Sequence, residues 1–310
     1  MIDHVIFLRH GRTAFNLARR MQGQIDVPLD VVGHWQVDQS AYALAQRYYW
    51  AKVSGLAHRA GTASRDGSAH AYMAPTVPAD YVTPNEGRAQ ELEAMGEQVA
   101  AQYREVPASQ RTMLVYSSDL LRAQQTAHAF ADIMDLPVHV DARLRERDFG
   151  MWEGMTREQI AEQYPEGYRS WRLHQGGEAA FGVESRYDLG QRGAKAVCDL
   201  CMDANAACTG SGDESHVTLM VVSHGSWIGA TIQTLLGLDV NANSTINGMR
   251  NAFWSTLTPP DGEQITPGSW LLDSYDEGPA VAAMTDWENG PQSLHTADMP
   301  VWKSVSGPKA

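Results

Sequence analysis

A chain of 310 residues with 43% hydrophobic content is long enough to bury one large core or two smaller ones, and nothing in it resembles a small stapled fold. Its formal net charge of −13 argues against a broad nucleic-acid surface, which needs clustered Lys and Arg, so an anionic ligand requires a local basic pocket in an acidic molecule. The absence of an apolar leader, and of any apolar run near the roughly 18 residues of a bilayer span, leads us to expect a cytoplasmic chain without membrane contact.

Taken in order, the first predicted element is the apolar run Val5 to Leu8, which stops at Arg9-His10-Gly11 and reads as a buried strand entering a loop. In an open α/β sheet, ligands bind at such carboxyl ends. There an imidazole can attack a phosphorus while a guanidinium holds the phosphoryl oxygens. Arg9 to Leu29 reads as irregular, with a short polar helix near Asn16 to Arg20, and its Asn16, Gln22 and Gly23 suit the wrapping of an oxyanion. From about 31 to 84 the composition changes. A helix, His34 to Val53, carries Tyr48-Tyr49-Trp50, and Gly55 to Pro84 has too few large apolar residues for a core of its own, which marks an insertion. The insertion is expected either to cap the crevice or to join a homodimer, and His58 and His70 within it read as surface residues.

Glu86 to Tyr103 has helical spacing, and Thr112 to Tyr116 is a strand ending at Ser117-Ser118-Asp119, which can cap a helix from about Leu120. Arg122 in the first turn of that helix opposes the helix dipole, so an anion is expected at the helix start. A third strand, Leu136 to Val140, precedes the charged and aromatic run Arg143 to Gly154, a short helix Thr156 to Tyr164, a loop at Gly176 to Gly182 and a long helix Ser185 to Ala207. Cys198, Cys201 and Cys208 fall in and just beyond that helix without a second ligand pair, and read as core residues rather than a zinc site. The most apolar strand, Val217 to Val222, ends at Ser223-His224-Gly225 and leads into a helix from about Ser226 to Leu236, repeating the opening arrangement. Ala252 to Leu257 and Trp270 to Tyr275 are the last strands, and beyond Gly278 a tail or wrapping extension is expected. The reading is thus a single α/β domain, 1–278, with a C-terminal extension, 279–310. Its architecture is a three-layer sandwich with a mostly parallel sheet and helices on both faces.

Three strand ends present Arg9 with His10, Arg122 and His224, an accumulation of positive groups that a dianion such as phosphate would relieve. In order along the chain, Leu8-Arg9-His10-Gly11-Arg12-Thr13 through Asn16, Arg20 to Leu29, Ser117 to Ala123, Leu144-Arg145-Glu146 to Gly150, and Val222-Ser223-His224-Gly225 resemble the histidine phosphatase superfamily, also called phosphoglycerate mutase-like. The resemblance implies that fold. It implies that His10 is the nucleophile forming a phosphohistidine, that Arg9, Arg122 and His224 hold the phosphoryl group, and that Glu146 is the proton donor. Asn16, Gln22 and Gly23 match positions beside the transferred phosphate, and Glu184, Ser185 and Arg192 match supporting positions. Phe149 and Trp152 would desolvate Glu146, for which Glu153 is the rival acid.

The positive cluster supplies what a metal supplies elsewhere, so no metal or other cofactor is expected. The expected activity is therefore that of a metal-independent phosphomonoester phosphatase acting on a small phosphorylated metabolite and releasing inorganic phosphate. Where mutases of the family follow the acid with Arg-His-Tyr-Gly, this chain has Arg147-Asp148-Phe149-Gly150, and Asp148 is expected to discourage a small polyanionic acid, which favours the broad-specificity phosphatase branch over a mutase. A non-catalytic phosphate-binding scaffold is the further alternative, disfavoured because His10, Glu146 and both arginines are present.

Overall fold

The computed structural model describes residues 2–45, 113–208, 217–242, 246–262 and 264–295. Tyr48-Tyr49-Trp50, His58, His70 and the expected helix Glu86 to Tyr103 lie outside the described residues. Six strands, β1 (Ile2–Arg9), β2 (Met113–Ser117), β3 (Val138–Val140), β4 (Val217–Ser223), β5 (Trp254–Thr258) and β6 (Leu271–Glu277), form one sheet in the order β3-β2-β4-β1-β5-β6. The first four in that order are parallel, and β5 and β6 add an antiparallel edge. The helices are α1 (Ala14–Leu17), α2 (Val31–Leu44), α3 (Leu121–Ala131), α4 (Arg157–Gln163), α5 (Pro165–Arg172), α6 (Arg186–Cys208) and α7 (Gly225–Leu235).

β1 and β4 are near-continuous apolar runs because both of their faces are covered. Val5, Phe7, Leu219 and Val221 pack with α6 and α7 on one face, whereas Ile6, Leu8, Met220 and Val222 pack with α2 and α3 on the other. The expected three layers result. Cys198 and Cys201 on α6 are buried in the first of these clusters and unbonded. Among the described residues no helix is long and apolar enough to cross a membrane.

Two expectations change. The insertion cannot begin at residue 31, because α2 is part of the core: Ala41 and Leu44 pack on the sheet, while Val32, Trp35 and Val37 pack in a second cluster with Phe253, Trp287 and Leu294. A helix covered on several sides spreads its apolar residues around its axis, which hides the periodicity of a surface helix. The second change concerns the start of α3, where Leu120 occupies the cap position without a side-chain cap of its own. Asp119 instead pairs with Arg145 at 2.6 Å, and the Asp26 carboxylate accepts the Leu121 N–H at 2.7 Å. The anion at the helix start is thus a side chain of the protein.

The C-terminal segment wraps. Trp287 sits against Trp35 and Phe253, with ring centroids 5.0 and 5.5 Å apart, and its indole N–H donates to the Asn251 carbonyl at 2.9 Å. On its other side α2 is pressed onto the loop after β1. A Cβ at Gly33 would lie 2.0 Å from the Arg12 carbonyl oxygen, and one at Gly11 would lie 2.6 Å from that of Gly33. Gly33→Ala therefore sets a helix-propensity gain of about 1 kcal/mol against overpacking on backbone. The clash is with immobile atoms and wins. Urea unfolding should show a net loss of up to about 2 kcal/mol, and a gain would refute this packing.

Candidate active site

The site begins where the parallel ladder runs one step past the strands. The His10 N–H donates to the Ser223 carbonyl and the Ser118 N–H to that of Val222, both at 3.0 Å. Register therefore places the residues following β1, β2 and β4 side by side. His10 and His224 face each other with ring centroids 5.1 Å apart, and both are buried.

Their tautomers follow from their partners. His10 Nδ1 lies 2.7 Å from the Gly11 carbonyl oxygen, an acceptor only, so Nδ1 carries the proton and Nε2 presents its lone pair. His224 Nδ1 accepts from Arg122 Nε at 3.2 Å, so its Nε2–H donates to Ser118 Oγ at 2.9 Å. Burial first, and then the charge of Arg122, hold both imidazoles well below the usual histidine pKa, and Arg9 adds to the effect on each. They are neutral.

Arg122 is fully buried, and burial pulls its guanidinium down to about 10, partly opposed by Glu146 and Asp26. Its Nη1 and Nη2 donate to the carbonyls of Ile25 at 2.7 Å and Gly23 at 2.8 Å. Arg9 is lowered by burial and supported by Glu146, Glu288 and Asp276. Its Nη1 donates to the Met249 carbonyl, while its buried Nε has no partner among the described residues.

Glu146 is held at the start of α7. One carboxylate oxygen accepts from Arg147 N at 2.8 Å and Trp227 N at 2.9 Å, and the other accepts from Ser226 N at 3.1 Å. Backbone donors, rather than the expected Phe149 and Trp152, contact its oxygens; those two rings pack in a separate cluster with Met21, Ile160 and Val183. Arg192 fixes the approach to Glu146. It forms a two-point contact with Glu184 and donates to the carbonyls of Arg143 and Arg145. Ser185 turns away from this network and caps α6 through Asp188. The rival acid, Glu153, is raised by burial and accepts from Gln24 N at 2.7 Å; it fills the space that a Cβ on Gly23 (φ +52°) would need. Asp148 is exposed and accepts from Gly150 N at 2.7 Å.

Arg9, His10, Asn16, Gln22, Gly23, Arg122 and Glu146 line one cavity of about 740 Å³. His224 stands beside His10 with both ring nitrogens engaged, by Arg122 and Ser118. The oxygens of Asn16 and Gln22 face Thr13, Asn16 accepting from its N–H at 3.1 Å and Gln22 from its hydroxyl at 2.9 Å. That orientation leaves their amide nitrogens without a bond among the described residues.

Sequence reading missed Arg12, Arg157, Tyr168, Arg250, Asn251 and Glu288, all of which line the cavity. Only Arg12 stands inside a recognisable motif. Arg250 and Asn251 enter at the amino end of an antiparallel strand, and Glu288 arrives with the wrapping segment; neither position has a local signature. Seven arginines face three glutamates on this wall, an excess of four positive charges within an acidic protein.

Because both histidines are neutral when folded, the unfolded chain binds more protons below about pH 6.5. Stability without ligand should therefore fall as pH drops from 7 toward 5, each histidine contributing up to about 1.4 kcal/mol per pH unit. Thermal unfolding of a His10→Gln, His224→Gln double variant should give a shallower slope; an unchanged slope would contradict the neutral pair.

The geometry accords with comparisons to known proteins. The sequence profile described as "Histidine phosphatase superfamily (branch 1)" matches residues 5–66 and 86–267. The glucosyl-3-phosphoglycerate phosphatase of Mycolicibacterium vanbaalenii is 34% identical over 289 residues, covering 91% of this chain and 97% of that protein. A solved complex of mycobacterial glucosyl-3-phosphoglycerate phosphatase with inorganic phosphate is similar at 26% identity and a TM-score of 0.59, covering 89% of this chain and 98% of that one. A Yersinia enterocolitica protein named "Probable phosphoglycerate mutase GpmB" is 27% identical over 272 residues, covering 87% of this chain and 91% of its own. Since the matched residues include both strand ends that carry the paired histidines, the chain belongs to branch 1 of the histidine phosphatase superfamily.

Proposed function

We propose that this phosphomonoester phosphatase acts on a small metabolite whose leaving group carries a second anion, a carboxylate, beside hydroxyl groups, as glucosyl-3-phosphoglycerate does. The observation that carries this reading is the charge of the cavity wall. A phosphate dianion offsets about half of the excess of four positive charges, and a carboxylate uses part of the remainder. The names of the mycobacterial relatives support the same class.

In this reading His10 Nε2 attacks phosphorus. The N–P bond forms as the P–O bond to the leaving group breaks, and the departing oxygen takes a proton from Glu146. Water then attacks the phosphohistidine, Glu146 takes a proton from it, and breakage of the N–P bond releases inorganic phosphate and restores His10. Arg9 and Arg122 hold the equatorial oxygens, whose charge is spread in a loose transition state, with the amides of Asn16 and Gln22 beside them. His224 keeps the Arg122 guanidinium in plane. No step calls on a metal ion.

His10→Ala should abolish release of phosphate from phenyl phosphate, whereas EDTA should leave wild-type turnover unchanged and vanadate should compete with substrate. Undiminished turnover in His10→Ala would sink the nucleophile assignment. For the leaving group, wild-type kcat/KM should be about tenfold higher for 3-phosphoglycerate than for phenyl phosphate, the worth of one additional charged hydrogen bond. The product should be inorganic phosphate rather than an isomeric phosphoglycerate. Equal kcat/KM for the two substrates would overturn the carboxylate reading.

A further inference from the structure

The C-terminal segment brings a carboxylate to a wall that is otherwise basic. Glu288 lines the cavity, although it lies beyond residue 267, where the match to the family profile ends. Its backbone is fixed on several sides. The Glu288 carbonyl accepts from Arg12 Nη1 at 2.5 Å, and Gln36 Nε2 donates to the Trp287 carbonyl at 2.7 Å. The turn that follows is closed by Asp286, whose carboxylate accepts from Asn289 Nδ2 at 2.6 Å and whose carbonyl accepts from Gly290 N at 2.8 Å. The backbone of so constrained a turn, and with it the point from which the Glu288 side chain departs, is set before any ligand arrives.

The Glu288 carboxylate itself has no hydrogen bond or ion pair among the described residues. The other acids of the wall differ: Glu146 is held by three backbone N–H groups, and Glu158 is bonded within the first turn of α4. Beside Glu288 stands Asn251, joined to the same segment through Trp287 Nε1. The Asn251 amide nitrogen is committed to the carbonyls of His10 and Gly11, at 3.0 and 3.3 Å, which leaves its side-chain oxygen as a second acceptor.

Charge narrows what these acceptors can take. A carboxylate or phosphate of the ligand is repelled by Glu288, and a cationic group is repelled by the seven arginines. A neutral donor fits both conditions. We propose that Glu288, presented by the C-terminal wrap, is a specificity-determining residue that accepts hydrogen bonds from hydroxyl groups of the leaving group, with the Asn251 oxygen as its neighbour. This rests on the hydroxylated leaving group of the proposed function, but not on its carboxylate.

The test uses the full-length chain and two carboxylate-free substrates, glucose 6-phosphate and phenyl phosphate. Glu288→Ala is expected to lower kcat/KM about tenfold for glucose 6-phosphate and less than about twofold for phenyl phosphate, the loss of a charged acceptor affecting only the hydroxylated group. Should Glu288→Ala fail to fold, as judged by thermal unfolding, Glu288→Gln is read in the same way, with a fall of about threefold expected. Equal losses on both substrates would overturn the proposal, because Glu288 would then act through Arg9, whose charge its carboxylate also supports. No loss on either would overturn it too. The carboxylate reading fails separately, through the wild-type comparison of 3-phosphoglycerate with phenyl phosphate.

Discussion

Everything at this site depends on keeping two imidazoles neutral beside two guanidiniums inside the fold. A buried arginine keeps its charge far more readily than a buried histidine, so the histidines give up theirs, and the free lone pair on His10 Nε2 follows from that division. The remaining positive charge is balanced by acids placed at one remove. Glu146 is the foremost acid acting on Arg9, while Glu146, Asp26 and Glu153 act on Arg122. None of them forms a direct ion pair that would occupy the guanidinium faces. A clamp neutralised in this indirect way stays open to an anion.

The supporting bonds show how the loops between sheet and helices are held in place. Arg122 closes onto the carbonyls of the 23–25 loop, Arg192 onto those of the 143–146 loop, and Arg12 onto Asp30 and the C-terminal turn. Each arginine ties the segment bearing one wall of the cavity to another element by carbonyl contacts, which need the planar fork of several donors that lysine lacks. The start of α7 serves the acid instead of the ligand, since its first free N–H groups are spent on Glu146.

The acidic surface and the basic cavity belong to the same design. A protein of net charge −13 attracts no polyanion broadly, and its arginines are gathered where strand ends, the 19–23 loop, α4 and the 249–251 turn meet. The C-terminal wrap completes that ring, and it is held by apolar packing of Trp287 and Leu294 rather than by charge. The carboxylate that this segment brings to the wall is thus positioned by a hydrophobic anchor a few residues away.

The amino-acid sequence by itself determined the strand ends. Runs such as Val5 to Leu8 and Val217 to Val222 have one stable use, a strand buried on both faces, and the residues after them must emerge at one edge of a parallel sheet; Arg9, His10 and His224 were legible for that reason. Arg122 was legible because its position defies the helix dipole, although the anion that satisfies the helix start proved to be Asp26. Only the tertiary structure decided the rest. It engaged both ring nitrogens of His224, left Asp148 exposed, made α2 a core helix, and brought Asn251 and Glu288 to the site. Those outcomes depend on contacts between residues up to 276 positions apart, such as Arg12 with Glu288 and Gln36 with Trp287. No local periodicity records such contacts, because the chain acquires them only when its layers close.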